Sequence, residues 1–146
     1  MTTACLVFLG LSLALYAAAS LLFQGHLWWG HPSWERWGRR SLVAGVAVNA
    51  VGIGLHVLFS GQSPLANMVS VVSLVVIAFL VAGLLLERFT ALRHFTLFLA
   101  PIAFLGLLYP LLMPVRFEDS GSILLRHPWL GVHVFVTLLG HVGFAL

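Results

Sequence analysis

The sequence predicts an all-α protein: a polytopic transmembrane helical bundle of about five spanning helices, N-terminus outside, forming a single transmembrane domain over residues 1–146. Three observations carry this reading. Hydrophobic residues make up 61% of the chain and charged residues only 8%, whereas a soluble domain carries about a quarter charged residues. The apolar residues fall into five continuous stretches, each close to the roughly 20 residues a helix needs to cross hydrocarbon. None of these stretches shows the alternation of a barrel strand, and only helices and closed barrels satisfy their backbone groups inside lipid.

The first stretch, 3–23, has no basic residue before it. Its apolar run exceeds a signal-peptide core, so it reads as a retained helix. A break at 24–40 follows, crowded with Trp28, Trp29, Trp34 and Trp37, which read as an interfacial aromatic belt. The second and third stretches, 41–60 and 64–86, are separated by Gly61, Gln62 and Ser63. The fourth, 95–113, contains Pro101 as a candidate kink, with Pro110 and Pro114 marking its end. The fifth, 128–146, stops at Phe144-Ala145-Leu146 without a basic flank, which reads as part of something longer.

Charge gives the orientation and excludes several function classes. All seven basic residues are arginine, against four acids, and the isoelectric point is near 10.0. In a membrane protein such a surplus is a topology signal rather than a nucleic-acid patch. Arg36, Arg39, Arg40, Arg88 and Arg93 flank one side; Arg116 and Arg126 flank the other. The richer side is expected in the cytoplasm. The lone Cys5 allows no intrachain disulfide and no covalent heme attachment motif. The Walker A, zinc-protease and serine-hydrolase signatures are absent. No acid lies mid-span, which argues against a proton-coupled transporter.

Three histidines, His56, His133 and His141, interrupt the apolar stretches. An ionisable group in hydrocarbon is costly and defaults to a functional hypothesis, and imidazole is a common ligand of metals and heme iron. His56 lies about 6 Å below the outer end of its helix and His133 roughly 7.5 Å below the same surface, at 1.5 Å per residue. Gly45, Asn49, Gly52 and His56 share one helical stripe, whose small residues admit another helix or a flat cofactor. Asn67, Ser70 and Ser73 belong to the same outer half. His141 lies about 12 Å deeper than His133, at the depth of Asn49. The competing reading is that these polar groups only hydrogen-bond between helices. His26, His31, His94 and His127 lie at helix ends or in breaks, where imidazole needs no special role.

The order of these features resembles the first part of the cytochrome c assembly family of heme-handling membrane proteins, of the CcsA and HemX type. The residues that carry the resemblance are Gly54-Leu55-His56-Val57, the run Asn67-Met68-Val69-Ser70-Val71-Val72-Ser73-Leu74, Leu99-Ala100-Pro101-Ile102, and Trp129-Leu130-Gly131-Val132-His133-Val134. The resemblance implies a bacterial inner-membrane protein that binds or passes heme b. His133 would be an axial ligand on the outer face, with His56 as its partner or neighbour, and cytochrome c assembly proteins or other membrane subunits would join the lipid bilayer as partners. Nothing carries over to His141, whose position in the family is expected to be aromatic. Family members continue through further helices. They also bear a Trp-rich heme-presenting segment, which the cluster Trp28 to Trp37 mimics only superficially, on the wrong side and without the expected aspartate. The alternative is a small membrane subunit or scaffold of a larger electron-transfer complex. In either case the protein would orient a cofactor or a partner rather than catalyse bond chemistry.

Overall fold

A computed structural model of the chain describes residues 3–61, 68–90, 95–112, 136–137 and 140. Its described elements are helices: α1 (Thr3–Trp29), α2 (Pro32–Ser60), α3 (Met68–Phe89) and α4 (Phe95–Leu112). Three of them, α1 to α3, are long and apolar enough to cross a membrane, and α4 contributes a shorter apolar segment. The expected fifth span at 128–146 lies largely outside the described residues; Val136, Thr137 and Gly140 within it are helical.

The first break is not a loop. Both helices run on through the tryptophans and arginines, and only Gly30 and His31 separate them. Hydropathy marks where a chain leaves hydrocarbon. It does not mark where a helix ends, because Trp, Arg and Glu are all compatible with helix. The turn has its own chemistry. Gly30 takes φ +67°, a left-handed conformation that suits glycine. Its N–H donates to the His26 carbonyl at 2.8 Å. His31 is extended, as a residue before proline prefers, and Pro32 opens α2 where no backbone donor is needed. At the far end of α2, Gly61 (φ +63°) donates to the Val57 carbonyl and closes the helix.

Proline placement also departs from expectation. α4 continues through both Pro101 and Pro110 to Leu112, so Pro110 does not end it. Inside apolar surroundings the backbone has no water to turn to, and neighbouring groups sustain a helix across a missing N–H.

The helices alternate in direction and pack in ring order, α1 on α2, α2 on α3, α3 on α4 and α4 back on α1. The α1–α2 contact is the most extensive and the α2–α3 contact the slightest. The α1–α2 seam shows why. The buried series on α1 is Leu9, Ser12, Tyr16, Ala19 and Phe23, with Ser20 and Gly25 also buried beside it; the series on α2 is Gly38, Leu42, Gly45, Asn49, Gly52 and His56. Both series alternate steps of three and four residues, the spacing of left-handed helix pairs. Aromatic side chains of α1 stand against the three glycines of α2, so the backbones approach closely there. α3 and α4 close with Val76, Leu80, Leu99, Ala103 and Leu107. The outer surface is itself apolar, with Leu21, Val51, Leu58, Phe98 and Leu105 all exposed. A soluble monomer does not carry such a continuous apolar exterior, and lipid is the solvent that suits it.

Candidate functional site

The interior stripe of α2 is where the expected site falls, and α1 occupies most of it. A Cβ added at Gly38 would stand 2.9 Å from the Phe23 ring. One at Gly45 would stand 2.6 Å from Tyr16 Cε1, and one at Gly52 would stand 2.9 Å from Phe8 Cβ. These glycines are small because three aromatic side chains of α1 fill the space beside them. A flat cofactor therefore has no room along the stripe between Gly38 and Gly52.

His56 is the next position on the stripe, and it differs. The residue is 6% exposed, and neither Nδ1 nor Nε2 has a hydrogen-bond partner among the described residues. Its own carbonyl accepts from Ser60 Oγ at 2.6 Å. Ser70 and Ser73 of α3 are buried as well, and Ser73 Oγ is unpartnered among the described residues. The ion pair between Arg39 and Glu87 fixes the antiparallel register of α2 and α3. About 17 residues along each helix from that pair, roughly 25 Å at 1.5 Å per residue, bring His56 and Ser70 to the same level. Asn67, His133 and His141 lie outside the described residues, so the expected His56–His133 pairing falls there too.

Midway along the interior, Asn49 is buried with Ser12 and Tyr16. The Tyr16 phenol lies beside the Asn49 amide, although neither Tyr16 Oη nor Asn49 Nδ2 reaches hydrogen-bond geometry. Ser12 Oγ donates to the Leu9 carbonyl at 2.8 Å. Buried polar groups are nearly always satisfied by protein or water, so the open atoms of Tyr16, Asn49, Ser73 and His56 mark an interior that takes further polar partners. The polar residues of α1 were missed in sequence. The signal was present in the three-and-four spacing of Leu9, Ser12, Tyr16, Ala19 and Phe23, obscured because the whole helix is apolar.

The other end of the bundle gathers charge. Arg36, Arg39, Arg40 and Arg88 all stand where α1 meets α2 and α3 meets α4. Trp28, Trp29 and Trp37 are exposed beside them, and Arg40 lies over the Trp37 ring, 5.2 Å from its centroid. His26 fastens the turn: its Nδ1–H donates to the His31 carbonyl at 2.9 Å, and Nε2 lies 3.7 Å from Glu35 Oε2. Glu87 ties three helices together. Its carboxylate pairs with Arg39 of α2 and accepts the Thr96 backbone N–H of α4 at 2.5 Å. Helix N-termini leave such N–H groups free and favour a negative charge. Sequence reading placed Glu87 in a break and gave it no role, since only the tertiary fold brings Arg39 and Thr96 to it.

Among the described residues no group of three or more His, Cys, Asp or Glu is placed to hold a metal ion. The class that fold and site define is an all-α bundle with membrane-length helices, a charged end and a buried imidazole near the opposite end. No family model matches the chain, and neither a curated protein nor a solved structure matches it.

Proposed function

We propose that the chain is a multi-pass protein of the bacterial inner membrane that binds or passes heme b in the setting of cytochrome c assembly. His56 is one axial ligand and His133 its partner. The observation that carries this reading is the buried His56 imidazole with both ring nitrogens open. An unpaired buried polar group is costly. Ligation would answer that cost at one nitrogen, and a hydrogen bond to a neighbouring acceptor would answer it at the other. Bound heme supplies one-electron chemistry or is itself the cargo. The chain's own residues hold and orient it, with Asn67, Ser70 and Ser73 shaping the pocket. The open His56 imidazole supports a heme ligand at its level; the glycine stripe below it, filled by Phe8, Tyr16 and Phe23, supports none. Purified protein is expected to give a pyridine hemochrome and a Soret band that collapses in both His56→Ala and His133→Ala. A spectrum unchanged by either substitution removes the proposal.

The closed glycine stripe favours a second reading, a cofactor-free membrane subunit of an electron-transfer complex, in which Gly45, Asn49 and Gly52 serve helix packing alone. That reading predicts no hemochrome and copurification with redox subunits.

The charged end faces the cytoplasm in this proposal, because four arginines and exposed tryptophans share it. In a Cys5→Ser background, Ser33→Cys is expected to resist a membrane-impermeant thiol reagent applied to spheroplasts, and Ser60→Cys to react. The reverse pattern inverts the topology.

A further inference from the structure

We propose that the cleft between α2 and α3 at the arginine end is a binding site for one anionic phospholipid. The slight α2–α3 contact leaves an open cleft of about 480 Å³. Its apolar part is Val43, Val81, Leu84 and Leu85, and its charged part is Arg39, Glu87 and Arg88. Val43, Val81 and Leu85 are exposed on the outer face of the bundle, so the cleft opens toward lipid.

The charges at its mouth do not cancel. The Glu87 side chain is only 4% exposed and is already engaged by Arg39 and the Thr96 N–H. Arg39 is half exposed, and a guanidinium has five N–H donors, more than one carboxylate uses. Arg88 is exposed and makes no ion pair with a carboxylate among the described residues. The mouth thus presents two guanidinium groups against one buried carboxylate. Planar guanidinium donors match phosphate oxygens. The apolar floor directly adjoining them matches acyl chain, and a soluble phosphate has no use for it. A zwitterionic lipid brings a cationic group to the same arginines and is disfavoured. Basic pockets between membrane helices near the cytoplasmic surface take anionic headgroups for these reasons.

The inference rests on the reading that these helices span a bilayer. The full chain in detergent is mixed with equal concentrations of dioleoyl phosphatidylglycerol and dioleoyl phosphatidylcholine, and bound lipid is read by native mass spectrometry. Phosphatidylglycerol is expected to be retained about five-fold over phosphatidylcholine. Arg88→Gln should lose most of that preference. Arg36→Gln, which removes the same charge outside the cleft, should keep it. Val81→Phe, which fills the apolar floor without touching charge, should also lose it, and it serves as the second variant if Arg88→Gln fails to fold. Millimolar inorganic phosphate should leave the lipid bound. Equal retention of the two lipids, equal loss in Arg88→Gln and Arg36→Gln, or displacement by phosphate overturns the site. If the protein still partitions into membranes when any of these occurs, the lipid site fails and the spanning reading stands.

Discussion

Replacing Arg39 by leucine is expected to destabilise the bundle more than replacing Glu87 by leucine. The asymmetry follows from burial. Glu87 is 4% exposed and Arg39 half exposed. Without Arg39, a buried carboxylate keeps only the Thr96 N–H, and uncompensated buried charge costs about 2–4 kcal/mol. Without Glu87, Arg39 turns to water, and the main loss is the carboxylate at the α4 N-terminus together with one half-exposed ion pair, about 1–2 kcal/mol. Glu87→Gln should cost less again, because its amide oxygen can still accept from Thr96. Thermal unfolding in detergent gives the order directly. An Arg39→Leu loss no greater than that of Glu87→Leu would show that the clasp is a surface pair. Hydrogen exchange at the start of α4 should rise in Glu87→Leu and stay near wild type in Glu87→Gln.

Gly45→Ala is expected to loosen the α1–α2 seam by about 1–3 kcal/mol, the usual cost of overpacking. Its new methyl would stand 2.6 Å from the Tyr16 ring and 3.3 Å from Leu15 Cβ. Tyr16 is fully buried and has nowhere to move. Gly54→Ala on the same helix is the control. It meets nothing within 4 Å, so it should keep only the helix-propensity gain of alanine, about 0.5–1 kcal/mol of stabilisation. The two substitutions add the same atoms to one helix, and opposite signs in unfolding would separate packing from propensity. If both stabilise, α1 does not fill the stripe.

The apolar stretches of the chain determined the all-α class and the membrane-length helices. Inside lipid only helices and closed barrels satisfy their backbone groups, and these stretches lack the alternation of a barrel strand. The spacing of Gly45, Asn49, Gly52 and His56 also placed one face of α2 correctly, because residues at steps of three and four must share a side of a helix. What the sequence left open was what that face meets. Small residues admit a cofactor or another helix alike, and only the tertiary structure puts Phe8, Tyr16 and Phe23 into the space. The short turn at Gly30 and His31 was hidden for a different reason: interfacial Trp and Arg end the hydrocarbon span without ending the helix. Glu87 shows the same division. Its charge is visible in the sequence, but its partners, Arg39 and Thr96, come from two other helices and become neighbours only when the ring of helices closes. Periodicity along one helix is a local property that the sequence carries in full. Which surfaces meet is settled by the packing of helices far apart in the chain.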